Sequence, residues 1–335
     1  MKPMAQFPHY STHAREFFLE AARILPQRLS MRGDFEEFLA DYLQESVKFL
    51  LPDNGYLFDT HEYKPSMFEL QRIPYPMCAL EFEAGDELYA VDSGLLQSRK
   101  RIALCFDPWK LPAHQKERLA RLRGKDFTDK IPERSLAIMA VFDVPGGWSA
   151  SVGMVIIDLA EDRPIPVKDA GELSTIANSV GARLKSKGSR FGLPATFMTF
   201  PQRSALAGQS QEQAVESLYI DTIDETRSVY EFLAAVNCSN VGTTETAAPR
   251  MLNERRQKKG RSLFYPYKIL NLFPPGRRPL RDGGGTHNSP EVHLRRGHPR
   301  RLHEMHGGET IWINATSVNA GQGEMREQVY KVRAR

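Results

Sequence analysis

Cysteine is scarce in this sequence: there are three in 335 residues, at Cys78, Cys105 and Cys238, and no CxxC pair. An odd, widely spaced set supports neither a disulfide framework nor a thiolate zinc site, so three separate buried thiols are expected. Long apolar runs are missing as well. No stretch approaches the ~18–20 uninterrupted apolar residues of a membrane-crossing helix, and residues 1–7 lack the apolar run of a signal peptide. A cytoplasmic protein without a membrane partner is the expectation. Motifs of several enzyme classes are also wanting: no GK[ST] follows Gly146, Gly147 and Gly153, no GxSxG elbow occurs, and no repeat of 20–50 residues is visible. No cofactor and no metal are expected. His293, His298, His303 and His306 match no standard zinc spacing, and Asp53, Glu62 and Lys64 only imitate a metal-dependent nuclease, because Asp53-Asn54-Gly55 reads as a turn.

What is present is an uneven distribution of charge. The net charge of +4 conceals an acidic body and a basic end: residues 1–249 hold 27 Lys and Arg against 34 Asp and Glu, residues 250–335 hold 18 against 7. A strongly positive segment concentrates phosphates or acidic peptides near it. The length suits two units, an acidic partner-docking body over 1–250 and a basic module over 251–335.

Hydrophobic spacing predicts an α+β fold. Phe17, Phe18, Ala21, Ile24 and Leu25 fall on one helical stripe, ended by Pro26. Asp34 is a candidate N-cap for a second helix carrying Phe35, Phe38, Leu39, Tyr42, Leu43, Val47 and Leu50, stopped by Pro52. Short apolar runs then predict a mostly antiparallel central sheet, with strands at Met77–Phe82 and Ile102–Phe106. A hairpin is predicted from Leu136–Val144 and Val152–Leu159, with Pro145 to Trp148 as the turn. Arg118, Arg121, Arg123 and Lys125 read as a wet helix face. Gln211–Val236 is the longest predicted helix, residues 237–249 read as a polar connection, and a basic run, Arg255–Arg261, precedes a strand-like Leu263–Phe273. The Pro-, Gly- and Arg-rich stretch 274–288 reads as a mobile linker. Beyond it, short strands are expected near Val292, Leu302, Ile311–Asn314 and Val329–Val332.

The densest cluster of reactive groups is at the basic end, where five of nine histidines lie between His287 and His306. If residues 293–298 are extended, His293 shares a face with Arg295 and Arg296 with His298, each pair ~7 Å apart. Arginine forks hold phosphate oxygens, and an imidazole titrating near neutrality can move a proton. Arg295, Arg296, Arg300, Arg301 and Trp312 are therefore candidate RNA- or phosphate-binding residues, and His293 and His298 candidate catalytic ones. Tyr265, Tyr267 and Tyr330 are further candidate stacking surfaces for bases. The rival readings are a solvated basic surface with structural histidines, a metal-independent ribonuclease, a DNA-binding regulator of a mobile element and a structural phage component.

The string Ser289-Pro290, His293, Arg295-Arg296-Gly297-His298, Gly307-Gly308 and Ile311-Trp312-Ile313 resembles the ending of a family of phage and plasmid proteins. That family includes the type V anti-CRISPR protein that lowers the transcript of the RNA-guided nuclease. The resemblance is confined to residues 289–335, and the order of elements is similar before that. This chain departs in having Pro299 where an aromatic often stands, and Asn314 and Ala315 where a proline does. The resemblance implies a mobile-element inhibitor of host immunity that recognises the start of a nascent target polypeptide and triggers destruction of its messenger. The matching positions are His293, Arg295, Arg296, His298 and Trp312. The partners implied are RNA or ribosome-associated nucleic acid together with a nascent or folded target protein.

Overall fold

The computed structural model describes residues 7–24, 30–58, 70–84, 98–123, 126–128, 131–159, 165–166, 191–192, 195–200, 208, 210–272, 293–295, 298–303, 308–313 and 316–318. Two helices open it, α1 (Tyr10–Ile24) and α2 (Ser30–Glu45), followed by strands β1 (Val47–Leu50), β2 (Met77–Glu83) and β3 (Lys100–Phe106). Helix α3 (Ala113–Arg123) precedes β4 (Ser135–Val144), β5 (Gly147–Ala150), β6 (Gly153–Asp158), the short β7 (Ile165–Pro166) and β8 (Phe191–Gly192), and β9 (Ala195–Thr199). Then come α4 (Gln211–Val236), β10 (Val241–Thr246), α5 (Arg250–Lys258), β11 (Tyr267–Leu272) and four short strands: β12 (His293–Arg295), β13 (His298–Arg301), β14 (Thr310–Ile313) and β15 (Thr316–Val318).

The class is α+β. One nine-stranded sheet runs in the order β10-β11-β1-β2-β3-β4-β6-β9, with β5 paired to β4. Only the two pairings of β1, to β2 and to β11, are parallel; the rest are antiparallel. Period-2 alternation sends the two faces of this sheet into different cores. Met77, Ala79, Ile102, Leu104, Phe106, Ala137, Met139 and Val141 pack with Phe18, Phe35, Phe38, Tyr42 and Leu119 of α1, α2 and α3. Cys78, Leu80, Phe82, Ala103, Cys105, Leu136 and Ile138 face Val229, Phe232 and Leu233 of α4. The molecule is thus three layers with its most apolar strands central, as the continuous runs of β3 and β4 require. All three cysteines are free and buried. Cys78 stands directly opposite Cys105, and the Tyr42 hydroxyl lies between their carbonyl oxygens, at 3.0 and 2.8 Å.

Helix α4 matches the predicted span and starts on a capping box: Gln213 N–H donates to Ser210 Oγ (3.2 Å) and Ser210 N–H to Gln213 Oε1 (2.9 Å). Helix α3 is the predicted charged face, but its cations are engaged. Arg118 pairs with Glu37 and Asp41, Arg121 with Asp34, and Arg123 donates to the carbonyls of Asp126 and Phe127; Lys125 lies outside the described residues. Asp53-Asn54-Gly55 is the expected turn, with Asn54 and Gly55 both at positive φ. Glu62 and Lys64 lie outside the described residues.

Several expectations need correction. The second helix ends at Glu45, and Val47–Leu50 is a strand. The Lys48 ammonium caps α2 by donating to the Gln44 and Ser46 carbonyls, and β1 then finds ladder partners on both sides. Asp34 lies inside α2 rather than at its cap. In the hairpin the turn is shorter than expected. Gly147 and Trp148 already pair with β4, and the return strand is split by Ser151, whose hydroxyl accepts from Ala140 N–H and donates to Gly153 O. A Cβ at Gly147 would meet the Phe17 ring at 2.1 Å, so this glycine lets α1 lie against β5. Residues 241–246, read as a polar connection, form the edge strand β10. Strand β11, beyond residue 250, lies between β10 and β1 in the main sheet. The stretch 274–288 lies outside the described residues.

Candidate nucleic-acid interface

The described residues of the basic end that stand out are on α5. This nine-residue helix begins after Pro249, and none of its residues is buried. Its stop is a Schellman motif: Gly260 N–H donates to Gln257 O, Arg261 N–H to Arg256 O, both at 3.0 Å, and Gly260 is at φ 62. Arg255, Arg256 and Lys258 occupy the last turn, where the partial negative charge of the helix end favours cations. Arg250 is paired with Glu254 at 3.0 Å. Arg255, Lys258 and Lys259 have no ion pair among the described residues, and all three are exposed. Met251 and Leu252, beside them, are 71% and 48% exposed.

A polar seam with α1 holds α5 in place. Asn253 and Phe264 exchange two hydrogen bonds, Asn253 Nδ2 to Phe264 O at 2.9 Å and Phe264 N–H to Asn253 Oδ1 at 2.7 Å. Thr12 Oγ1 donates to Leu263 O (3.1 Å), and Arg15 bridges Ser262 Oγ and Gln44. One carboxylate oxygen, Glu16 Oε1, accepts from Ser262 N–H at 3.1 Å and forms ion pairs with Arg256 Nη2 at 2.8 Å and Arg261 Nε at 3.8 Å. The Phe264 ring lies between His9, stacked at 4.1 Å and 22°, and the Arg256 guanidinium at 4.3 Å, with His13 edge-on at 6.0 Å. Two groups this close to one ring must take opposite faces. Burial, and after it the neighbouring His13 and Arg256, lowers the His9 pKa to about 4. Burial, then Arg256, lowers that of His13. Both rings are therefore neutral at pH 7, and the fixed charge of the seam comes from Arg15, Arg256, Arg261 and Glu16.

The other dense set of titratable groups is buried under α1. Glu81 is fully buried and accepts from Tyr10 N–H (2.8 Å), Ser11 N–H (2.9 Å) and Tyr267 Oη (2.6 Å). Lys48, 3% exposed, lies 3.9 Å from the centre of the Tyr265 ring, and burial lowers its pKa to about 7. A buried amine with a neutral pKa beside a buried acid looks like a reaction centre. Its hydrogen bonds assign it instead to closing helix ends. Tyr265 and Tyr267, expected as base-stacking surfaces, are spent here: Tyr267 is buried with its hydroxyl on Glu81, and Tyr265 faces Lys48. On the opposite face Arg101 pairs with Glu225 at 2.9 Å, and Arg227 with Glu231 at 2.8 Å. These pairs fasten α4 to the sheet and to the 56–58 loop.

The basic end contributes two separate ladders. Strand β12, with His293 and Arg295, pairs with β15, and β13, with His298, Arg300 and Arg301, pairs with β14. Of His293, Arg295 and His298 only the backbone is described. Arg296, Val292 and residues 329–332 lie outside the described residues, Tyr330 with them. Arg300 and Arg301 are exposed. Trp312 is half-buried, with one face stacked on Phe58 at 4.6 Å and 21°. Its carbonyl accepts from Asn240 Nδ2 at 2.7 Å, and its N–H donates to Asn240 Oδ1 at 2.5 Å. The Trp312 ring thus docks the β13–β14 hairpin on the body. No three side chains of metal-ligating type cluster among the described residues, and no described helix is long and apolar enough to cross a membrane.

The sequence contained the run Arg255–Arg261 but not its role as a solvent-exposed helix, nor the seam with His9, His13 and Glu16. Pro249 before the run and Gly260 after it are the start and stop signals that could have shown the helix. The seam joins residues some 250 positions apart and leaves no local trace. No family model matches this chain, and no curated protein or solved structure does.

Proposed function

We propose that this chain is an RNA-binding protein that meets the phosphate backbone with α5 and the turn following it. The observation that carries this reading is the row of exposed cations, Arg255, Lys258 and Lys259, without an ion pair among the described residues, on a helix that buries none of its residues. A protein gains nothing in stability by gathering like charges on a projecting helix, whereas a polyanion releases counterions on meeting them. Arg300 and Arg301 on β13 extend the same sign of charge.

The finer reading is a mobile-element, anti-CRISPR-like protein that acts on the translation or messenger of a target. It is supported by the resemblance over residues 289–335 and by the acidic body. The carboxyl-terminal strands would then supply RNA contacts through Arg295, Arg296, Arg300 and Arg301, with His293 and His298 beside them.

Fluorescence anisotropy with a labelled single-stranded RNA, and with duplex DNA of equal length, tests the first reading at two salt concentrations. Binding to RNA that weakens with salt, and that Arg255→Glu/Lys258→Glu/Lys259→Glu abolishes, is the expected result. Equal or tighter binding to duplex DNA would point to a DNA regulator, and no binding would sink the proposal. The same RNA incubated in EDTA separates a binder from a metal-independent ribonuclease: cleavage lost in His298→Ala would replace this reading.

A further inference from the structure

Three donors converge on one oxygen at the seam between α1 and α5, and the oxygen belongs to the protein itself. Arg256 Nη2 (2.8 Å), Ser262 N–H (3.1 Å) and Arg261 Nε (3.8 Å) all lie within 4 Å of Glu16 Oε1, and only Ser262 N–H is aligned for a hydrogen bond. We propose that this seam is a phosphate subsite of the RNA-binding surface, and that the Glu16 carboxylate occupies it when RNA is absent. The inference rests on the reading that α5 binds RNA, and it assigns a specific place to one backbone phosphate.

Two features argue that the carboxylate is a stand-in. First, the donors are under-used. Arg256 Nη2 is in Coulomb contact with Glu16 but out of line for a hydrogen bond, and Arg15 Nε is buried without an acceptor among the described residues. Buried donors without aligned acceptors are uncommon in folded proteins, and a phosphodiester offers two charged oxygens on a larger group than one carboxylate oxygen can cover. Second, the charge does not balance. Arg256 and Arg261 both pair with Glu16 and Arg15 reaches Ser262 at the same seam, so among the described contacts three cations meet one acid. The site is reachable: the Arg261 side chain is 60% exposed and that of Glu16 is 24% exposed. It lies at the carboxyl end of α5, where Lys258 and Lys259 would lead a strand towards it. A swing of the Glu16 side chain about its rotamers frees the donors without moving either helix.

Removal of an acid that merely holds the two elements together would loosen α5 and weaken RNA binding. Removal of an internal competitor does the opposite. With the full chain, Glu16→Ala is expected to bind single-stranded RNA about three- to tenfold tighter, with the slope of log K against log salt steeper by about 0.7, one single-strand phosphate. Glu20→Ala makes the same change of net charge on the same helix outside the seam, and it should shift affinity by less than about twofold. Arg261→Gln added to Glu16→Ala should cancel the gain. Glu16→Gln, which keeps the size of the side chain, should reproduce the gain if the alanine variant is poorly folded.

Glu16 variants that match Glu20→Ala, or bind more weakly while melting like the unaltered chain, would overturn the proposal. Should the triple α5 reversal abolish RNA binding while the Glu16 variants change nothing, the subsite fails and the RNA reading stands. If the unaltered chain binds no RNA, both fall. Inorganic phosphate that raises the melting temperature of Glu16→Ala without any gain in RNA affinity would mark a free-anion site and overturn the assignment to RNA.

Discussion

Glu81 and Lys48 stand diagonally across the parallel strands β1 and β2 on one face of the sheet, where Leu50 is the register partner of Glu81 and Lys48 that of Ala79. Each closes the end of a different helix. The Glu81 carboxylate takes the first N–H groups of α1, and the Lys48 ammonium takes carbonyls at the end of α2. Opposite charges thus meet opposite helix dipole ends, and the α1–α2 hairpin is fixed to the sheet by an acid at its start and a base at its finish.

Truncation of Glu81 leaves two backbone donors and the Tyr267 hydroxyl buried without an acceptor. Glu81→Ala is expected to lose about 3–5 kcal/mol in urea unfolding, the range for breaking a buried charged network. Glu81→Gln keeps one acceptor and should lose less than half of that. An alanine variant as stable as the parent would show that α1 does not depend on this cap.

Lys48 makes stability depend on pH in the alkaline direction. Its folded pKa, about 7, lies below the unfolded value of 10.5, so between these the unfolded chain binds the extra proton and stability rises with pH. The rise is on the order of a few kcal/mol at most. Lys48→Met should lose some stability from the missing cap and also lose this rise. Chemical denaturation of both proteins from pH 7 to 9.5 checks it, and parallel curves would refute the assignment.

Much of this architecture was legible from local pattern. Helices α1 and α4 and strands β2, β3 and β4 follow directly from apolar spacing, since each buries a regular stripe. Errors came where long-range pairing overrode that spacing. Val47 and Leu50 continue the helical period of α2, yet they lie in a strand because β2 and β11 offer ladders on both sides. Strand β10, with three threonines and one glycine in six residues, has no apolar alternation because it lies at the edge of the sheet. The candidate interface was legible only as charge. That Arg118 and Arg121 are tied down, while Arg255, Lys258 and Lys259 have no ion pair among the described residues, depends on the acids of α2, which composition does not reveal.

Acid acts on the seam through His9. Its folded pKa, about 4, lies below the ordinary 6.5, so from pH 6.5 down to 4 the unfolded chain takes up the proton first and stability falls with pH. The buried Nδ1 has no acceptor among the described residues, which leaves the cation without a partner there. His9→Asn, which tolerates the positive φ of 52 at this position, should be less stable at pH 7 but lose less on going to pH 5. An equal loss in both proteins would show that another group causes the acid sensitivity.

The stack of Trp312 on Phe58 connects the basic strands to α4 through a short chain of contacts. Glu231 accepts from the N–H groups of Leu57 and Phe58, Phe58 carries Trp312, and Asn240 holds the backbone of Trp312 on both sides. An aromatic pair of this kind contributes about 0.5–1.5 kcal/mol beyond the area it buries, which suffices to dock a hairpin of two four-residue strands but not to hold the fold. Trp312→Ala, which removes the half-buried partner and leaves the buried Phe58 in its cluster with Tyr230, Ala234 and Ala235, should therefore release β13 and β14 with little effect on the main sheet. Protease cleavage near residues 298–313 should accelerate several-fold while the global melting temperature falls by only a few degrees. Cleavage at the parental rate would mean that other contacts hold the hairpin, and the route by which α4 positions Arg300 and Arg301 would have to be abandoned.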